Sequence, residues 1–468
     1  MQKPNKLLEN QKGAALILMA FIIGLAVIAY LLHALDPARL RLEQDKKTNF
    51  ALAIAKEALL AYSANTISVA PTPPPTACNL NCARPGDLPC PDNDNDGDAD
   101  TPCAASIVGR LPWKTLGLGD LRDGAGERLW YAVSNQYKNN PRLLPLNSES
   151  VGTISSSNSS GNLVYDATAN NGLAAVIIST GPPLIRTDSA TVQNRANIPT
   201  TAFGNTIASN YLDLAFLEDN ANFTEGTVNG FISGEVKLGD RIISNDRVLP
   251  ITRDEMNEVM ETRVQSEVMQ AVLINFCHSG ANLVTRTCLP SHAFDYLPYP
   301  ASIADSTCLG RVSIPNTSCM SDSAISFGRI PVGINVGGVT GTAGWENGYS
   351  TSILRGSDAN NWFQQNGWRE LVFYAVAPAC TEPNKGCTGA GYLTLNNALT
   401  PTAFPLANNK EVVIVVGGKN LVGQVRAMPS DKWVISNYLE DENVSFSDNI
   451  YSRYIPDVSK NDKAISIP

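Results

Sequence analysis

Charge and histidine are both scarce in this chain. Asp, Glu, Lys and Arg make up 17% of the residues, against about 25% in an average globular chain. Hydrophobic residues reach 43%, so this is not the highly charged, weakly apolar composition that stays disordered. The three histidines, His33, His278 and His292, are too few and too scattered for a histidine-rich metal centre. Lys and Arg number 35 against 44 Asp and Glu, a balance of -9, which is the wrong sign for a body that neutralises phosphates; no nucleic-acid partner is expected. GxSxG, HExxH and GxxxxGK[ST] are all absent, and Gly417-Gly-Lys-Asn420 lacks the rest of a P-loop. These absences point away from an enzyme. The length, 468 residues, leaves room for two or three domains at about 150 residues each.

Long apolar runs are missing as well, with one exception. Residues 14–35, AALILMAFIIGLAVIAYLLHAL, carry no formal charge, and at about 1.5 Å per residue they would form a helix of about 33 Å, enough to span a bilayer. Lys3, Lys6 and Lys12 against Glu9 precede the run, so the positive-inside rule places the first dozen residues in the cytoplasm and the remainder outside. A cleaved secretory signal is the competing reading, but its apolar core is about 7–15 residues, shorter than this one. All ten cysteines (Cys78, Cys82, Cys90, Cys103, Cys277, Cys288, Cys308, Cys319, Cys380 and Cys387) follow the run. An even number on the outer side reads as disulfides in an oxidising compartment.

The junction Gln11-Lys12-Gly13-Ala14-Ala15-Leu16 resembles the leader and cleavage site of type IV pilin-like proteins. The resemblance implies cutting between Gly13 and Ala14 by a prepilin peptidase, N-methylation of Ala14, and a helix that holds the mature chain among other pilins or pseudopilins. It covers about 25 residues. Ala14 stands where Phe is usual in the family and Leu18 where Glu is usual. That Glu offsets the buried ammonium of a neighbouring subunit, and an unpaired buried charge costs several kcal/mol. A subunit without it is suited to the filament tip, as in minor pilins and the pseudopilin that begins a type II secretion pseudopilus. The expected role is a structural minor subunit for assembly or for surface or cargo contact, in a type IV pilus or a type II secretion system. Its expected place is the inner membrane with a periplasmic ectodomain, or a cell-surface filament. The alternative is a membrane-anchored, calcium-dependent surface adhesin or binding protein that never enters a filament.

The fold expected is α+β: an N-terminal transmembrane pilin-like helix, then two tandem, disulfide-braced modules, each a helix on an antiparallel sheet. The leader occupies 1–13, the membrane helix 14–35, the first module 36–248 and the second 249–468. Pro37 suits the first turn of a second helix, whose broad apolar face is expected through residues 50, 54, 58 and 61, with 51, 55 and 62 beside it. Six blocks recur in one order. Ala58–Asn65 matches Ala271–His278, Leu88–Pro91 matches Leu297–Pro300, and Gly109–Pro112 matches Gly328–Pro331. Leu129–Val133 matches Val372–Val376, Ala174–Ile178 matches Val412–Val416, and Asn210–Asp213 matches Asn437–Glu440. The second copy opens with a capping box, Thr252-Arg-Asp-Glu255, and a staple of Ile251 with Met256. A stripe through Met256, Val259, Met260, Val264, Val268 and Val272 then marks a core-facing helix. Residues 147–171, rich in Ser, Asn and Gly, read as an exposed loop.

Between Cys90 and Cys103, Asp92, Asp94, Asp96, Asp98 and Asp100 alternate around Gly97 and match the first nine places of a calcium loop, with Asp98 offering its carbonyl. Cys103 stands at the twelfth place in lieu of the bidentate Glu, so Asp120, Asp123 or Glu127 would have to complete the set. A solvated acidic turn is the other reading. Zinc is disfavoured, because these cysteines lack paired zinc-finger spacing. Local pairing is the simplest disulfide scheme: Cys78–Cys82, Cys90–Cys103, Cys277–Cys288, Cys308–Cys319 and Cys380–Cys387.

Overall fold

The computed structural model describes residues 10–34, 37–65, 83–103, 108–140, 142, 144–195, 208–275, 297–309, 319–336, 339–341, 362–381, 384, 387, 389–397, 409–457 and 459–467. Helix α1 spans Asn10–Ala34 and α2 spans Pro37–Asn65. The apolar window Gly13–Tyr30 has no buried residue, so α1 presents hydrocarbon outward on all sides. Proline opens α2 because its missing N–H costs nothing in a first turn.

Two four-stranded antiparallel sheets follow. The first runs β1 (Val108–Arg110), β2 (Trp130–Val133), β3 (Ala175–Ser179), β4 (Arg247–Ile251), each strand paired with the next. Helix α3, Arg253–Asn275, starts directly after β4. The second sheet runs β5 (Phe327–Arg329), β6 (Val372–Val376), β7 (Val412–Val416), β8 (Lys463–Ile467), in the same order. Helix α2 lies on β3 and β4, and α3 lies on β7 and β8. Because β4 runs to Ile251, the first sheet reaches three residues past the boundary expected at 248.

Registers agree as well as order. Gly109 faces Tyr131 and Gly328 faces Tyr374; Tyr131 then faces Ile177 and Tyr374 faces Ile414. Leu88 donates its N–H to the Tyr137 carbonyl, and Leu297 to that of Cys380, at 2.8 Å each. One block match needs correcting: Val412–Val416 corresponds to Ala175–Ser179, one residue later than expected. Every position of both strands is buried, so the sequence carries no inward-outward alternation from which to read register.

Three of the recurring blocks meet at one point in each half. The Arg110 guanidinium lies 4.5 Å over the Trp130 ring and 4.0 Å over Tyr211, and Arg329 lies 5.2 Å over both Phe373 and Tyr438. Stacking on ring faces favours a cation desolvated in this way. At the outer strands, Arg247 of β4 pairs with Asp45 of α2, and Lys463 of β8 pairs with Glu258 of α3 at 2.9 Å. Asp45 and Glu258 stand in register when the closing blocks of the two helices are aligned.

The halves share one core. A single apolar cluster holds Leu52 and Leu59 of α2, Met260 and Val264 of α3, and residues of both sheets. The first half also reaches into the second. Asn366 accepts from the Leu146 N–H, and its amide donates to the Trp362 carbonyl. The Ser148 carbonyl accepts from Arg253 and Asn257, and Glu149 pairs with Arg426.

Two expectations about burial are met only in part. The inward face of α2 is Thr48, Ala51, Leu52, Ala55, Leu59 and Ser63, while Phe50 is 66% exposed. Residues 50–55 are apolar all round, so packing picked the face whose alanines let the helix approach the sheet closely. Residues 147–171 are not simply an exposed loop: Ile154 is fully buried, and Ser156–Asn158 pairs with Phe231–Ser233 as a parallel strand. The buried Ser155 and Ser157 hydroxyls donate to the Thr227 carbonyl and to Glu218, which removes the cost of burying them.

On α3 the capping box closes reciprocally. The Thr252 N–H donates to Glu255 at 2.9 Å and the Glu255 N–H to the Thr252 hydroxyl at 3.3 Å, with Ile251 and Met256 fully buried beside them. Of the stripe, Met256, Met260, Val264, Val268 and Val272 are fully buried and Val259 is half-buried.

Candidate functional site

Gly13 and Ala14 lie exposed within α1, which begins at Asn10. A methyl placed on Gly13 would meet nothing within 4 Å among the described residues. Leu18, one turn on, is 63% exposed.

The aspartate loop hangs from a backbone anchor in the first sheet. Asp92 and Arg110 exchange both of their N–H to carbonyl bonds, at 2.9 and 2.7 Å, and the Cys90–Cys103 disulfide closes the loop. The Asp92 carboxylate is buried and accepts the N–H groups of Asn95 at 2.6 Å and Gly97 at 2.8 Å. Gly97 holds φ at +94°, and a side chain there would run into the Trp113 ring, so glycine is required on both counts.

Carboxylate oxygens of Asp92, Asp94 and Asp100 lie within 4.8 Å of one another. Burial pushes the Asp92 carboxyl up to about 6, against the two N–H donors, and Asp94 and Asp96 push in the same direction. Asp96 and Asp98 stand outside that group: the Asp96 carboxylate accepts the Asp98 N–H, and Asp98 faces Lys114 at 3.7 Å. The three residues expected to complete the set are committed elsewhere. Asp120 is held by Arg122 and Arg128, Glu127 faces Arg195 at 3.6 Å, and Asp123 accepts from Ser179 and the Gly181 N–H. Three hard oxygen donors suit calcium or magnesium and not a soft metal. Carboxylate oxygens keep free lone pairs beyond the N–H bonds they accept, so Asp92, Asp94 and Asp100 fit a hard cation as a partial ligand set. In the second half Ala301 takes the place of Asp92, exchanging the same pair of bonds with Arg329; the acidic loop belongs to the first half alone.

Cys308 bonds Cys319 and Cys380 bonds Cys387. Cys78, Cys82, Cys277 and Cys288 lie outside the described residues, as do His278 and His292. Sequence reading missed the buried acidic residues Asp213, Asp246, Glu440 and Asp462. Their signal was present in the recurring Asn-Tyr-Leu-acid block and in the pairs Asn245-Asp246 and Asn461-Asp462.

Comparison with protein-family models, curated proteins and solved structures finds no match to this chain.

Proposed function

We propose that the chain is a minor pilin-like subunit, cut after Gly13, anchored by α1 and joined to other pilins or pseudopilins through that helix. The observation that carries the reading is the unburied apolar helix α1, followed within two residues by a helix that packs on an antiparallel sheet. A leader glycine at the mouth of such a helix suits a peptidase acting at the membrane face. Leu18 brings no carboxylate to offset a neighbour's ammonium, and a head with two sheets would crowd its neighbours if repeated along a shaft. Both features favour the tip of the filament. The chain is then structural and not catalytic, and Asp92, Asp94 and Asp100 would hold a hard cation that orders the loop. Amino-terminal analysis of the mature protein should begin at a methylated Ala14; a mature end near residue 36 would point to ordinary secretion. Immunogold labelling of sheared filaments should mark ends, and label along the shaft would exclude tip placement.

A further inference from the structure

Each half buries two carboxylates against each other, in matching surroundings. In the first half Asp213 and Asp246 are fully buried; in the second Asp462 is fully buried and Glu440 is 8% exposed. Asp246 accepts the Asp213 N–H and the Asn220 amide, at 2.8 Å each, and Asp462 accepts the Glu440 N–H at 3.2 Å and the Asn443 amide at 2.9 Å. Asp213 accepts from the Asn245 N–H and the Gln193 amide, as Glu440 does from the Asn461 N–H and the Gln424 amide. Asn220 also clasps Ile232 through both backbone groups, and Asn443 clasps Ser452 in the same way.

The same carboxylate oxygen is left without a donor in both copies: Oδ1 of Asp246 and Oδ1 of Asp462 are buried and unpartnered. An ionised oxygen in that position would carry the full cost of desolvation. A neutral acid would instead donate its O–H, and the acidic neighbour is the acceptor at hand; the Asp462 and Glu440 side chains are within hydrogen-bonding reach.

Nearby cations offset only part of the charge: Arg195 opposes the upward shift at Asp213 and at Asp246, and Arg426 interacts with Glu440. Among the described residues no ion pair joins these four carboxylates to a Lys or Arg. Arg195 donates to the Gly181 and Asn210 carbonyls and faces Glu127, while Arg426 donates to the Gly418 and Asn437 carbonyls and pairs with Glu149. Arg186 is taken by Asp188 and Asp219, Arg247 by Asp45, Lys460 by Asp441, Lys463 by Glu258 and Glu261, and Lys419 by Asp254. Tyr454 approaches Asp462 from the strand Ile450–Arg453 side but donates to no carboxylate of the pair.

We propose that each sheet is locked by a carboxylate pair sharing one proton, Asp213 with Asp246 and Glu440 with Asp462, and that loss of this proton to solvent loosens the final strand. Asp246 immediately precedes β4 and Asp462 immediately precedes β8, so each pair pins the start of the last strand to the Asn-Tyr-Leu segment. Burial and the Asp213 charge raise the Asp246 carboxyl well above the ordinary range, and burial and Glu440 push Asp462 up to about 8. Two like charges at such a site titrate as a pair.

The sign follows from linkage. A carboxyl whose folded pKa lies above its unfolded value stabilises fully below the unfolded value, near 4, and loses that contribution as pH rises through the folded value. Between those limits each pair should raise the unfolding equilibrium constant by up to about tenfold per pH unit. Glu261 and Glu411, each pushed up to about 7 by burial, add to the slope, so the test compares variants. Urea unfolding of the full chain in detergent micelles across pH 5–9 should show a shallower slope in Asp462→Asn and in Asp246→Asn, by about tenfold per pH unit each. The infrared band of protonated carboxyl groups near neutral pH should weaken in step. Asn mimics the shape and hydrogen bonds of the neutral acid, so a variant that fails to fold, an unchanged slope or an unchanged band would each overturn the proposal. Glu440→Gln, which also leaves one neutral and one acidic partner, should flatten the slope as Asp462→Asn does; a wild-type slope there counts against a shared proton.

Discussion

A single methyl on Gly328 should be among the most damaging small changes available to this protein. Gly328 sits in β5 opposite Tyr374, and a Cβ built there would lie 2.1 Å from the Ala301 carbonyl oxygen and 3.2 Å from Pro300 Cβ. Ordinary carbon–oxygen contact starts at about 3.3 Å, so one backbone must retreat by roughly 1 Å. Neither is free to do so cheaply, because Ala301 and Arg329 exchange two bonds of 2.9 Å beside the clash. Overpacking costs about 1–3 kcal/mol, and weakening both bonds adds about 1 kcal/mol each. The smaller entropy of an unfolded alanine returns about 0.4–1 kcal/mol. Gly328→Ala should therefore lower stability by about 2–4 kcal/mol. Gly109→Ala, the matching change in β1, meets Pro91 Cβ at 2.8 Å and the Asp92 carbonyl at 2.9 Å, and should cost less, about 1–2 kcal/mol. Gly119→Ala meets nothing within 4 Å and should stay within about 0.5 kcal/mol of wild type. Urea midpoints of the full chain in micelles, followed by tryptophan fluorescence, give the ranking. If Gly328→Ala lies within about 0.5 kcal/mol of wild type, or Gly119→Ala costs as much, the close approach of the two backbones is refuted.

Thr252→Ala opens the capping box on α3 and should cost about 1 kcal/mol in the same assay, because the Glu255 N–H and the Glu255 carboxylate each lose the Thr252 hydroxyl; an unchanged midpoint would mean that the cap contributes nothing. Glu261 is fully buried beside Lys463, and burial pushes its carboxyl up to about 7 despite that cation. The stability held by its proton is complete below about 4.5 and lost as pH rises through about 7, so wild type should decline over that window by up to about 3 kcal/mol more than Glu261→Gln. Parallel pH profiles for the two proteins would refute this. Calcium added to the full chain should release or absorb heat at about 10⁻⁴–10⁻³ M, as extracellular calcium modules do, and Asp92→Asn and Asp94→Ala should abolish the signal; no heat at millimolar calcium leaves an acidic turn that binds nothing.

What the sequence by itself determined is what depends on near neighbours. The uncharged run of α1, the capping box at Thr252 and Glu255, the stripe on α3 and the cysteine pairs 90–103, 308–319 and 380–387 are all set by spacings of a few to a dozen residues. The recurring blocks were legible too, since Gly109-Arg110 and Gly328-Arg329 place the same residue types at the same strand positions. Tertiary structure decided the rest wherever the local pattern was degenerate. Residues 50–55 of α2 are apolar on every side and could turn any face inward, and contact with the sheet selected Ala51 and Ala55 while leaving Phe50 exposed. Strands β3 and β7 are buried at every position, so only their hydrogen-bonded partners could set the one-residue shift between them. Asp120, Asp123 and Glu127 looked free to reach the aspartate loop, but Arg122 and Arg128 hold Asp120, and Arg195, Ser179 and the Gly181 N–H, brought from farther along the chain, engage Glu127 and Asp123. The buried acid pairs were hidden for the same reason. Asp213 and Asp246, like Glu440 and Asp462, are separated along the chain and become neighbours only when the last strand of each sheet closes, which is also when burial makes a proton cheaper to keep than a charge.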